Sequence, residues 1–147
     1  MTQKLVALVV AFGLASTAYA QKAAPTAKTA SEYYVKYHDA MASAKTVDDI
    51  RPFMDADSQK EMDAASKEEK EMGVKMISSM YADITGIKVV KETAKGNSYM
   101  LDVTATQASD KTAGTGTVEV VKDGAGWRVD SETWKFGSST MTLKKKK

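Results

Sequence analysis

A single histidine stands in the 147-residue chain, and its neighbours give it something to do. His38 recurs with Tyr34, Tyr37 and Met41 at the i, i+3, i+4, i+7 spacing of one helical face. A histidine on such a face can serve as a general base or a metal ligand. The competing reading is a partly buried imidazole hydrogen-bonded to a neighbour. That reading is preferred, because acid–base work needs a positioned partner and Asp39, adjacent in sequence, points elsewhere on a helix. Met72, Met76 and Met80 follow one another at i, i+4, i+8, and thioethers are soft ligands for Cu(I), with His38 available to complete a site. Methionine is also a flexible core filler, the favoured reading here among Ile77, Tyr81 and Ile84. Trp127 and Trp134 are seven positions apart, which on an ideal strand puts them on opposite faces, one under the core and one outward. An outward Trp134 suits an interface or a ligand floor, whereas a bulge can put both rings on one face. There is no cysteine, which excludes disulfides, thiolate metal sites and cysteine nucleophiles. No phosphate-binding loop, serine elbow, zinc-protease helix or calcium loop is present in the sequence.

These residues must be carried by two kinds of element. The period is helical from Ser31, which can cap a first helix. Thr46 and Asp49 match a capping box that opens a short helix bearing Val47, Ile50, Phe53 and Met54, limited by Pro52. Asp57 or Ser58 starts a third, and Ser66 with Glu69 forms a second capping box. From there Met72, Met76, Ile77, Met80, Tyr81 and Ile84 draw one apolar stripe, and Gly86 ends the helical half. Beyond it the period becomes two. Strands are expected over 87–93, 99–106, 115–122 and 127–134, separated by turn compositions at Lys95-Gly96-Asn97, 110–114 and Asp123-Gly124. Short turns between consecutive strands give an antiparallel meander. The expectation is an α+β fold with N-terminal helices packed on a four-stranded antiparallel sheet, in one domain over 31–136.

The ends of the chain read differently from its body. Residues 1–20 carry one lysine, an apolar run of about 11 residues and the small-residue pattern Ala18-Tyr19-Ala20, the signature of a signal peptide cleaved after Ala20. The run is well short of the roughly 20 residues a transmembrane helix needs, so no transmembrane anchor is expected. Residues 21–30 read as a flexible leader and 137–147 as a C-terminal tail with a lysine run. Lysine and arginine number 21 against 19 acidic residues; without Lys4 and Lys144 to Lys147 the balance falls to 16 against 19, a body of net −3. Such a body gives nucleic acid little to bind. The expected location is periplasmic or secreted.

The order of elements resembles the NTF2-like superfamily with its cystatin-like α+β cone, and within it small exported bacterial domains. The resemblance rests on Ser31-Glu32-Tyr33-Tyr34 opening the first helix, Val47 to Phe53 as the second, the Met-rich third, and Gly126-Trp127-Arg128-Val129-Asp130 near the C-terminus. It implies a cone between helices and sheet, and it covers isomerases, lyases and silent binding modules alike. The primary expectation is therefore a non-enzymatic binding module for a small apolar ligand or a protein partner, without a cofactor. Tyr34, Tyr37, His38, Tyr81 and Trp134 are its candidate binding residues. The alternative is an isomerase or lyase with His38 as general base, and a weaker one is Met-based copper binding. The resemblance also implies a homodimer through the sheet face.

Overall fold

The computed structural model describes residues 25–124 and 126–144. The segment read as signal peptide, residues 21–24 of the leader, and Lys145 to Lys147 of the lysine run lie outside the described residues. Four helices come first: α1 (Ala30–Ser43), α2 (Val47–Ile50) continued by a 3-10 turn at Arg51–Phe53, α3 (Ala56–Ala64) and α4 (Lys67–Ala82). Five strands follow, β1 (Ile84–Lys95), β2 (Ser98–Gln107), β3 (Ala113–Asp123), β4 (Gly126–Phe136) and β5 (Ser139–Lys144). They form a single antiparallel sheet in chain order. The fold is α+β, with five strands rather than the expected four.

The correction at the C-terminus has a local cause. Gly137 takes a φ of 56°, a left-handed turn that reverses the chain after β4. The segment expected to be a tail then returns as β5, pairing Met141 with Trp134 and Leu143 with Glu132. Met141 packs on the sheet core and Leu143 on the cluster between the helices.

The capping boxes form where the sequence puts them. Glu69 Oε2 accepts from the Ser66 N–H at 2.7 Å and Ser66 Oγ from the Glu69 N–H at 3.2 Å. Asp49 Oδ2 accepts from the Thr46 N–H at 3.0 Å. Two helices begin earlier than expected. Thr29 caps α1 in place of Ser31, accepting from the Glu32 N–H at 3.1 Å, and Asp55 caps α3 in place of Asp57 or Ser58.

Along α4 the expected stripe divides. Val74 and Tyr81 are buried and Ile77 and Met80 pack partly beside them, whereas Met72 and Met76 are 72% and 68% exposed. A step of four residues overshoots a helical turn by about 40°, so the three methionines wind off the buried face. The helix ends at Ala82, and Gly86 (φ 64°) sits inside β1, where the pairing with β2 shifts between Thr85 and Lys88.

Leu101, Val103 and Ala105 of β2 and Val118 and Val120 of β3 point to the core, as their alternation requires, and meet Ala30, Tyr33 and Tyr34 of α1. Gly114 and Gly116 leave β3 flat beneath the stacked rings of Phe136 and Trp134, whose centroids lie 5.7 Å apart. A second cluster of Met41, Ala44, Ile50, Val74 and Tyr81 joins α1, α2 and α4. Threonines and lysines such as Thr115, Thr117 and Lys135 are exposed on the far side of the sheet. Among the described residues no helix is long and apolar enough to cross a membrane.

Candidate functional site

A β-bulge in β4 builds the site. Val120 of β3 pairs with Val129 and Glu119 with Ser131, so Asp130 has no partner across the ladder. One extra residue inverts the alternation. Before it Trp127 and Val129 face the core; after it Glu132, Trp134 and Phe136 do. Both tryptophans therefore share the inner face. Trp134 is fully buried, so of the two placements open in the sequence the bulged one holds and the ring does not stand outward at an interface.

The same inversion carries Glu132 into the interior, where 1% of it is exposed. Tyr34 of α1 donates its hydroxyl to Glu132 Oε1 at 2.6 Å, and Tyr81 of α4 donates to Oε2. The Tyr37 and Tyr81 hydroxyls are 3.0 Å apart. Desolvation holds the Glu132 carboxyl above its ordinary pKa, against the opposing pull of the hydrogen bonds from Tyr34 and Tyr81. Burial, and after it the negative charge of Glu132, pushes the Tyr34, Tyr37 and Tyr81 phenols far above the usual range. Tyr33, next to this group, is pushed up to about 12 by burial, partly offset by Arg128. Tyr34, Tyr37 and Tyr81 stay protonated and donate.

Glu132, Tyr81 and Tyr37 line a cavity of about 490 Å³ between the helices and the β4–β5 end of the sheet. Its walls are largely apolar, with Met41, Ile50, Phe53, Met62, Ile77 and Leu143, and Asp55, Arg128, Asp130 and Lys144 also border it. Comparison with protein-family models, with curated proteins and with solved structures found no match. The site therefore has to be read from its own geometry.

Of the five residues singled out from sequence, four gather around Glu132. Tyr34, Tyr37 and Tyr81 form its hydrogen-bonded shell, and the buried Trp134 lies beside it. His38 lies edge-on to Tyr81, ring centroids 5.3 Å apart, but lines a separate groove of about 350 Å³ with Val35, Asp39 and Ile87. Desolvation lowers its pKa, and Nε2 has no partner among the described residues. Met72 and Met76 are exposed while Met80 borders the cavity, so these three do not converge with His38. Among the described residues no group of three or more His, Asp or Glu is placed to hold a metal ion.

Glu132 escaped the sequence reading because strict alternation puts it outward. The signal lay in the aromatics: Trp127 and Val129 have odd parity, Trp134 and Phe136 even, and both pairs can be inward only if a residue is inserted between them.

Proposed function

We propose that this chain is an exported, non-enzymatic binding module of the NTF2-like kind, and that its cavity between helices and sheet takes a small, largely apolar molecule. The observation that carries the reading is a mostly apolar cavity of about 490 Å³ with a buried polar cluster, Glu132 with Tyr37 and Tyr81, in its wall. Small-molecule sites commonly have this size and this ratio of apolar wall to placed polar groups. Export is supported by the signal-like pattern of residues 1–20. Of the two kinds of partner considered, the small molecule is favoured, because Trp134 is buried and the outer sheet face is rich in exposed threonine and lysine.

The test uses the neutral fluorophore N-phenyl-1-naphthylamine. Its emission is expected to rise on mixing with the mature protein. Ile77→Trp, which fills the cavity from α4, is expected to abolish the rise while leaving the far-ultraviolet circular dichroism unchanged. No rise with the unmodified protein, or an equal rise with the filled variant, refutes the reading.

A further inference from the structure

We infer that the ligand of this cavity carries an ammonium nitrogen on an apolar body, with Glu132 as its counter-charge and the rings of Tyr37, Phe53 and Tyr81 as its seat. The inference rests on the cavity being a small-molecule site and names the chemistry of what enters it.

The first ground is the state of Glu132. Both carboxylate oxygens accept phenol hydroxyls, yet no lysine, arginine or histidine among the described residues pairs with the group. Hydroxyls satisfy hydrogen bonds but bring no positive charge, and a carboxylate taken out of water is costly until a cation accompanies it. Each oxygen has a further lone pair for an N–H donor. Glu132 is also among the residues that line the cavity, so a cation held there lies close to it.

The aromatic geometry supplies the second ground. The Tyr37 ring stands at 79° to Phe53 with centroids 5.5 Å apart, and at 85° to Tyr81 with centroids 5.8 Å apart. All three rings line the cavity. Three aromatic rings in one wall give a cation ring faces to sit against, the attraction a ring quadrupole supplies. With Glu132 ionised against an arriving cation, Asp55, Asp130 and Glu132 face Arg128 and Lys144 around the cavity, and Arg128 lies 3.6 Å from Asp130.

Calorimetric titration with matched probes at about pH 8, where alkylammonium groups keep their charge, separates the possibilities. The probes are 3-phenylpropylammonium, the neutral 3-phenylpropanol and the anionic 3-phenylpropanoate. The ammonium is expected to bind about tenfold tighter than the alcohol, as one desolvated cation contact warrants, with the carboxylate weakest. In Glu132→Gln that preference is expected to fall to about twofold or less. Phe53→Leu, which leaves Glu132 and its tyrosines intact, is expected to weaken the ammonium more than the alcohol and serves if Glu132→Gln does not fold. Equal affinity for ammonium and alcohol, or a preference that survives both variants, overturns the cationic ligand and leaves the cavity reading standing. If none of the three binds while N-phenyl-1-naphthylamine does, the cationic ligand is again refuted and the cavity stands. Failure of all four probes refutes both.

Discussion

Tyr34 and Glu132 lie 98 positions apart in sequence and meet inside the fold through a 2.6 Å hydrogen bond. This bond ties the first helix to the fourth strand where the sheet would otherwise hold an unsatisfied charge. Replacing Tyr34 by Phe removes the donor and leaves Oε1 without that partner. The expected loss is about 1–3 kcal/mol, the range for orphaning a buried polar group. Urea unfolding followed by tryptophan fluorescence measures it. Tyr33→Phe is the control, since the Tyr33 ring is equally buried but its hydroxyl is not part of this cluster; a loss there as large as in Tyr34→Phe refutes the account.

Glu132 and His38 impose opposite pH dependences. The folded-state pKa of Glu132 is raised above 4.5, so between that value and the raised one the folded chain holds a proton the unfolded chain has lost. Stability contributed by this group therefore falls as pH rises from about 4.5. His38 is lowered below 6.5, so the unfolded chain takes up a proton first as the solution is acidified, and stability falls as pH drops below that point. Urea midpoints taken every half unit across this range should become steeper in their acid decline for Glu132→Gln and flatter for His38→Gln. The same slope in both variants and in the unmodified protein would show that neither group is buried as described.

How much of this was readable beforehand divides at the bulge. The helix-to-strand switch, two capping boxes and the inward sets of β2 and β3 follow from period and cap chemistry alone, because those elements are regular. The fifth strand was hidden by composition: Ser139 to Lys144 has only Met141 and Leu143 as large apolar residues, and its pairing is specified by the Gly137 turn and by Trp134 and Glu132 waiting on β4. The tyrosines were legible as a helical face, but what they face was not. Glu132 reads as a solvent residue until one inserted position turns it inward, and a single inserted residue leaves its trace only in the parity of side chains on either side of it.

The flat approach of β3 to Trp134 gives a third expectation. A Cβ on Gly116 would come within 2.8 Å of the Trp134 ring, closer than side chains pack, and Trp134 is fully buried. Gly116→Val should cost on the order of 1–3 kcal/mol or more through overpacking. It should also disturb the neighbouring Glu132, lowering binding of N-phenyl-1-naphthylamine. Gly73→Ala in α4 meets nothing within 4 Å and should be neutral to stabilising, as glycine in a helix interior usually is when replaced. Thermal melts of the two variants decide this, and a Gly116→Val protein as stable as the original would refute the packing argument.

A truncation distinguishes a strand from a tail. Ending the chain after Gly137 removes Met141 from the sheet core and Leu143 from the cavity wall, and it leaves the β4 edge open from Ser131 to Phe136. Two partly buried apolar side chains and a row of ladder hydrogen bonds together should be worth about 2–4 kcal/mol, taking less than the full burial value for each. An uncovered edge strand also pairs readily with other chains, so the shortened protein should associate at concentrations where the original does not. Ending the chain after Lys144 keeps all six β4–β5 pairs and should leave the melting temperature unchanged. If both truncations melt alike, residues 139–144 contribute nothing to the sheet, and the fifth strand must be given up along with the cavity wall it supplies.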